Sequence, residues 1–231
     1  MSTGETASKP VIVLPLWQIM LVLIGLPAVY MANSLMPWSI GLLRRHDHVY
    51  FTQFWSSILV LHWGSLFLVV ILLKRAGGYL EDIGLKLSPI RVAVILGLPV
   101  IVGLALTVLH EVLGSKHVIP SEPSAVVAPA TMKERLFWIF TTFTAGFCEE
   151  VIYRGFGIRV LQWRNVRTWL AVGLATLAFV LMHGINVLAA APFLIIYTAG
   201  LIFSALFLWR KSLVPGIILH TLFDLAAIGL P

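Results

Sequence analysis

The chain has 231 residues, of which 59% are hydrophobic and 11% are charged, and its mean hydropathy is +0.97. A soluble domain carries about 25% charged residues, so the composition excludes one and predicts an integral membrane protein. The formal charge of +6 comes from basic residues that stand between apolar runs. Because there is no Lys/Arg-rich run and no RNA-type aromatic motif, nucleic acid is not expected as a partner.

Seven apolar segments divide the chain, and each is predicted to be a membrane-crossing helix. We therefore expect an all-α fold, a polytopic bundle of about seven transmembrane helices that forms a single integral membrane domain over residues 1–231. The last three segments are short and joined by short loops, which predicts neighbouring antiparallel helices. The segments are Val11–Asn33, Phe54–Leu73, Val92–Leu109, Leu136–Arg154 and onward, Trp169–His183, Pro192–Trp209 and Leu213–Leu230.

The first segment is expected to remain in the mature protein as a membrane helix. Lys9 is the only early basic residue, and the sequence Tyr30-Met31-Ala32 lacks the small residue that signal cleavage needs three places before the cut. The uncharged stretch Ser34–Leu43 follows it. Its proline and tryptophan favour a position at the membrane interface over a crossing.

Lysine and arginine are distributed unevenly between the two sides that the segments define. The side of the N-terminus receives 11 of them and the other side receives 5, which are Arg44, Arg45, Lys116, Lys133 and Arg135. Because basic residues are enriched in cytoplasmic loops, we expect a cytoplasmic N-terminus. The proline-containing loop His117–Thr131 is then expected outside.

Several ionisable or reactive residues have an ordinary interpretation. His62 is alone in the second segment, which is typical of a packed or snorkelling side chain. His110 and Glu111 close the third segment and are expected at a helix end near the outer interface. Cys148 is the only cysteine, so the chain has no intramolecular disulfide. A thiol at membrane depth beside carboxylates is a poor nucleophile, so Cys148 is expected to be a small packed residue.

The fourth segment carries two adjacent carboxylates inside an apolar helix. Residues 133–163 contain no proline, so a continuous helix of about 30 residues would place Glu149 near its middle. Glu150 and Arg154 stand at i, i+4 and share a helix face, so the guanidinium can neutralise that carboxylate. Glu149 points about 100° away and can remain free as a base. Spacing alone does not fix which glutamate takes which role.

Two later segments add histidines at membrane depth. His183 ends the fifth segment one helical turn after Phe179, and its expected depth matches that of Glu149. His220 and Asp224 share a face of the last segment, where Asp224 can orient the imidazole. Ionisable groups at this depth cost a few kcal/mol each by roughly the lowest estimates and usually face a cavity or a partner. The set therefore indicates either catalysis or ion movement.

Three motifs stand in order on three apolar segments: Glu149-Glu150-x-x-x-Arg154, Phe179-x-x-x-His183 and His220-x-x-x-Asp224. They resemble the three motifs of the CPBP family of intramembrane proteases. That family includes the CAAX prenyl endopeptidases of the Rce1 type and the bacterial Abi proteins. The resemblance extends from about Leu136 to Leu230, which implies a CPBP-like catalytic core at 136–230.

The resemblance implies hydrolysis of a peptide bond in the membrane or at its edge. It implies that Glu149 activates water with help from His183, while His220 and Asp224 stabilise the oxyanion. The family often has Asn at the position of Asp224. Because an ionised Asp cannot donate a hydrogen bond, Asp224 would need a proton or would act through His220. Glu149, His183 and His220 are also candidate ligands of one divalent, zinc-like metal ion. Glutamate-dependent and metal-dependent mechanisms both stay open.

The expected substrate is a peptide or a membrane-protein segment, with a prenylated peptide and a leader peptide among the options, and membrane lipids are the other partners. The resemblance to bacterial proteins implies a bacterial cell membrane. A proton-coupled transporter is the main alternative, because buried Glu, His and Asp also form proton relays. Small size, ionisable groups confined to the C-terminal half and the lack of an internal repeat disfavour it. The complete motif set disfavours a non-catalytic membrane adaptor.

Overall fold

The computed structural model describes residues 12–112 and 127–229, and regular structure in this part of the chain is helical, without strands. The all-α prediction is therefore confirmed. Some predicted features lie outside the described residues: they are Lys9, Val11, Lys116, Leu230 and most of the loop His117–Thr131.

Eight helices follow one another in the described residues. The first four are α1 (Leu16–Asn33, with a π-helical turn at Leu21–Gly25), α2 (Pro37–Arg45), α3 (Phe51–Arg75) and α4 (Pro89–Val112). The next is α5 (residues 132–163), and the last three are α6 (Thr168–Leu181), α7 (Ala190–Arg210) and α8 (Val214–Leu225). Each of the seven predicted apolar segments overlaps one of these helices, and α2 covers most of the stretch that was expected at the interface.

Four helical stretches of the described chain are long and apolar enough to cross a bilayer: Leu16–Asn33, His48–Arg75, Pro89–Val112 and Ala190–Arg210. The protein is therefore an integral membrane protein. Helices α6 and α8 are apolar but shorter, so the count of seven crossings stays a prediction. Helix α2 has 9 residues and is about 13 Å long, which is too short to cross.

Helix α5 is the centre of the bundle, and α3, α4, α6, α7 and α8 all contact it. It begins with a capping box, in which the Thr131 hydroxyl accepts from the Glu134 backbone N–H and the Glu134 carboxylate accepts from that of Thr131. It runs as an α-helix over Met132–Glu149, as a π-helix over Glu150–Ile158 and again as an α-helix to Trp163. The predicted continuous helix through Glu149 is present, and it widens directly after that residue.

Helix α8 packs closely against α5 at a glycine. A β-carbon on Gly146 would lie 3.0 Å from the backbone nitrogen of Thr221 and 3.1 Å from the carbonyl oxygen of Ile217. Backbone atoms cannot move away by a change of rotamer, so the absence of a side chain at Gly146 sets the distance between these helices. That distance matters because α5 carries the two glutamates and α8 carries His220.

Gly146→Ala is expected to lower the free energy of unfolding by about 1–3 kcal/mol, the usual range for an overpacked contact. Thermal unfolding of the purified protein in detergent measures it. Gly97→Ala is the matched control, because a β-carbon there meets nothing within 4 Å and alanine favours the helix. Equal melting temperatures for the two variants would contradict the close approach of α5 and α8.

Candidate active site

The two glutamates lie where α5 changes from α-helix to π-helix. Their side chains are buried, with Glu149 4% and Glu150 1% exposed. Short π-helical stretches inside α-helices frequently mark functional sites. The fold surrounds the pair with ionisable side chains from three helices and one turn, namely His62 on α3, Arg154 on α5, His183 after α6, and His220 and Asp224 on α8.

Arg154 holds Glu150 in an ion pair, with Nη1 3.1 Å from Oε1. The guanidinium is fully buried and its Cζ lies 3.9 Å from the centroid of the Phe179 ring, which it covers. On the far side, a β-carbon on Gly216 would lie 2.7 Å from Glu150 Oε2. The carboxylate is therefore enclosed between its cation and the backbone of α8, which agrees with the pairing expected from the i, i+4 spacing.

His220 stands between the two glutamates. Its Nδ1–H donates to Glu150 Oε1 at 3.2 Å, and its Nε2 lies 3.6 Å from Glu149 Oε2. The same Nε2 is 3.7 Å from Asp224 Oδ2, so the two residues expected to share a face do so. The imidazole stacks on Phe203, with ring centroids 4.8 Å apart and planes 16° apart. His220 is thereby fixed with Nε2 directed between Glu149 and Asp224.

Glu149 is held by His62, a residue that was expected to be a packed or snorkelling side chain. His62 Nε2 lies 2.8 Å from Glu149 Oε1, and both side chains are buried. The second carboxylate oxygen, Oε2, has no hydrogen-bond partner among the described protein atoms. His62 is packed, as expected, but its contact with Glu149 was not predicted, because the two residues are 87 positions apart in sequence.

The distance of each residue from the end of its own helix is the signal that would have identified His62. It precedes the end of α3 at Arg75 by 13 residues, or about 20 Å. Glu149 precedes the end of α5 at Trp163 by 14 residues, or about 21 Å. Helices α3 and α5 run in the same direction, so the two side chains share a depth. The comparison of depths that relates Glu149 to His183 therefore also relates it to His62.

His183 lies in the turn after α6, where its Nδ1–H donates to the carbonyl oxygen of Phe179 at 2.8 Å. Together with Trp55, His62 and Glu149 it lines two adjoining cavities of about 110 and 180 Å³. The larger cavity also reaches His220 and Asp224. All residues predicted for the site therefore come together, five of them through direct contacts and His183 through the shared cavities.

The candidate metal ligands do not fit a metal ion as they are placed. In residues 12–112 and 127–229, no group of three or more His, Cys, Asp or Glu side chains is arranged to hold one. Glu149 Oε1 is occupied by His62, and His220 Nδ1 is occupied by Glu150.

Long apolar helices around buried carboxylates and imidazoles define an integral membrane protein with a buried cluster of ionisable side chains. Residues 131–226 match the Rce1-like family model, whose description is type II CAAX prenyl endopeptidase Rce1-like. This match confirms the resemblance carried by the three motifs and supports a CAAX-type intramembrane endopeptidase in general, with a peptide or protein substrate at the membrane. No curated protein and no solved structure matches the chain.

Arg154→Leu is expected to destabilise the protein by roughly 3–5 kcal/mol, because it leaves the buried Glu150 charge unpaired. Low yield and a lower melting temperature in detergent would report this loss. Arg167→Leu is the matched control, since Arg167 is exposed and surface substitutions usually stay within about 0.5 kcal/mol. If Arg154→Leu melts at the wild-type temperature, the Glu150–Arg154 pair is not buried.

Proposed function

We propose that the chain is an intramembrane endopeptidase that uses Glu149 as its general base, with residues 136–230 as the catalytic core. The observation that carries the proposal is the state of the two carboxylates. Oε2 lacks a hydrogen-bond partner in both glutamates of the described structure, but their surroundings differ. Glu150 is enclosed by Arg154, His220 and the backbone of α8, whereas Glu149 lines two cavities that water and a peptide can enter. The Rce1-like match over 131–226 supports the reaction class.

Hydrolysis then follows in two proton transfers. Glu149 Oε2 accepts a proton from a water molecule as the water oxygen attacks the scissile carbonyl carbon. The carbonyl π-electrons move to oxygen and form a tetrahedral oxyanion. When the C–N bond breaks, the same carboxyl gives its proton to the leaving amine, so the base is regenerated and one water has been consumed per bond cleaved.

His220 is placed to stabilise the oxyanion. Its Nδ1–H is donated to Glu150, so Nε2 is the nitrogen that faces the cavity near Glu149. A hydrogen bond from Nε2 to the oxyanion requires a proton on that nitrogen too, and therefore the imidazolium form. Asp224 Oδ2, 3.7 Å from Nε2, supplies a negative charge beside this ring. In this proposal Asp224 acts through His220 and needs no proton of its own.

His183 completes the cavity wall opposite α8. Because Nδ1–H is donated to Phe179 O, a neutral ring presents the unprotonated Nε2 toward the cavity. That nitrogen can accept a hydrogen bond from the attacking water, which would orient the water against Glu149. Glu150 and Arg154 have a structural part, since they fix His220.

Access to the site is proposed from the face opposite the N-terminus. The smaller cavity is lined by residues at the end of α1, in α2, at the start of α3 and just after α6. Helices α1 and α6 run toward that face and α3 runs away from it, so these residues lie at its side of the bundle. With a cytoplasmic N-terminus in a bacterial membrane, the peptide reaches the site from outside. A prenylated peptide, a leader peptide and a membrane-protein segment remain the candidate substrates.

Glu149→Gln is expected to fold normally and to slow peptide cleavage by at least roughly 10²-fold, the lower range for a positioned acid/base group. His183→Ala and His220→Ala should be comparably impaired, and double variants should be little worse than single ones. The measurement is mass spectrometry of peptides released by purified protein in liposomes. Glu81→Gln, at an exposed glutamate, is the matched control and should keep full activity.

Two controls in the same liposomes separate the alternatives. Activity that survives exhaustive chelation is expected, whereas activity lost on chelation together with about one bound metal ion per chain would point to a metalloprotease. Solute-coupled proton flux that Glu149→Gln abolishes, without any peptide cleavage, would replace the protease proposal by a transporter.

Val49→Cys is expected to react with a membrane-impermeant thiol reagent in intact cells, because Val49 is 68% exposed beside the face where the cavity opens. Tyr79→Cys is the matched control on the opposite face, with Tyr79 70% exposed, and should react only after permeabilisation. Both variants are made with Cys148→Ala, which removes the only cysteine. The reverse pattern would place the cavity mouth in the cytoplasm.

A further inference from the structure

We propose that His62, on α3, positions the general base, an inference that rests on the proposed function of Glu149. The Rce1-like match begins at residue 131, so His62 lies outside the matched part of the chain. The contact therefore extends the site into the N-terminal half of the protein, where the motifs give no candidate.

The hydrogen bonds of His62 fix the location of a proton. Nδ1 lies 2.8 Å from the carbonyl oxygen of Ile58, and a carbonyl only accepts, so Nδ1 carries hydrogen. Nε2 lies 2.8 Å from Glu149 Oε1, and two atoms this close need a proton between them. His62 and Glu149 therefore share one proton, either as imidazolium and carboxylate or as neutral imidazole and carboxylic acid.

The imidazole of His62 is held in place by its neighbours. The residue is 2% exposed, and Tyr30 meets its ring edge-on with centroids 5.5 Å apart. The bond to Ile58 ties the imidazole to its own helix, and α3 packs along α5. Because the ring is held in this way, the Glu149 carboxylate has one orientation in which Oε1 is hydrogen-bonded to His62 Nε2.

The hydrogen bond to Oε1 determines which oxygen of Glu149 can accept the proton from water. Oε2 becomes the only carboxylate oxygen of Glu149 available to water, and it is the oxygen nearer His220, at 3.6 Å from Nε2. Without His62 the carboxylate can rotate and shorten its 3.6 Å separation from His220 Nε2 to a hydrogen bond, which would occupy both the base and the oxyanion donor. His62 thereby keeps the two groups from forming a hydrogen bond with each other.

The position of His62 beside the cavities favours a part in the reaction over a purely structural one. His62 lines both cavities, together with Glu149 and His183. It is therefore placed to remain hydrogen-bonded to Oε1 while Oε2 gains and loses the proton of water. The Glu149 carboxyl returns to its starting state after each cycle, and the shared proton of the pair is not consumed.

His62→Ala is expected to lower kcat at least tenfold while KM changes little, because the orientation of the base matters in the transition state. His62→Gln should recover part of the activity, since its amide N–H can reach and donate to Oε1, whereas the shorter His62→Asn should not. Added imidazole should partly restore His62→Ala and should leave Glu149→Gln inactive. A His62→Ala enzyme with wild-type kcat overturns the inference.

His48→Gln is the matched control. It makes the same substitution at a histidine that also contacts a glutamate, Glu134, at 3.1 Å, outside the site. It should keep the wild-type kcat. If His62→Ala does not fold, the comparison of Gln and Asn at position 62 decides, and equal full activity in both contradicts a positioning role.

A measurement without substrate separates this inference from the proposed function. The melting temperatures of His62→Gln, Glu149→Gln and the double variant form a cycle, and a direct contact predicts non-additive effects. Coupled stability without any cleavage by the wild-type protein would overturn the protease proposal and, with it, the role of His62 in positioning a base. Cleavage that needs Glu149, with additive stability and unchanged kcat on loss of His62, would overturn the His62 inference alone.

Discussion

Burial of carboxylates among apolar helices is the constraint on which the arrangement of this bundle depends. Glu149 and Glu150 are both almost fully enclosed, and isolated charges at such depth are strongly unfavourable. Arg154 offsets one of them, and its guanidinium is in turn covered by the rings of Phe179 and Phe203 from α6 and α7. Helices α6, α7 and α8 therefore pack around α5 at the level of the Glu150–Arg154 ion pair, which would be unfavourable if it were left without these neighbours.

Two adjacent residues of one helix acquire different chemistry because consecutive side chains diverge by about 100°. Glu150 faces α8 and the cation, and Gly216 leaves it just enough space. Glu149 faces α3 and the cavities, where it meets one imidazole at hydrogen-bond distance. The enclosed carboxylate contacts His220, and the other borders the cavities. In the proposed mechanism this division gives the second glutamate of the motif a structural part and leaves the first to act as the base.

The parts of the site that follow local rules could be predicted from the sequence. The helices follow from apolar runs, and the Glu150–Arg154 and His220–Asp224 pairs follow from i, i+4 spacing. The contacts between His62 and Glu149 and between His220 and Glu150 could not, because they join different helices. Their formation depends on the relative rotation and depth of α3, α5 and α8. The π-helical stretch after Glu149 also carries no signal in residue type or spacing.

The length of α6 has a consequence for how water reaches a site inside a bilayer. With 14 residues the helix spans about 21 Å, less than the roughly 30 Å of the hydrocarbon core. Irregular backbone at such depth is tolerated only inside protein or beside water, and the Ser34 hydroxyl accepts from Ile185 N–H in the turn that follows α6. In the predicted seven-helix arrangement, thinning of the surrounding lipid is one way to accommodate a mismatch of this size, and it would let bulk solvent approach the proposed catalytic site, which apolar helices would otherwise keep dry.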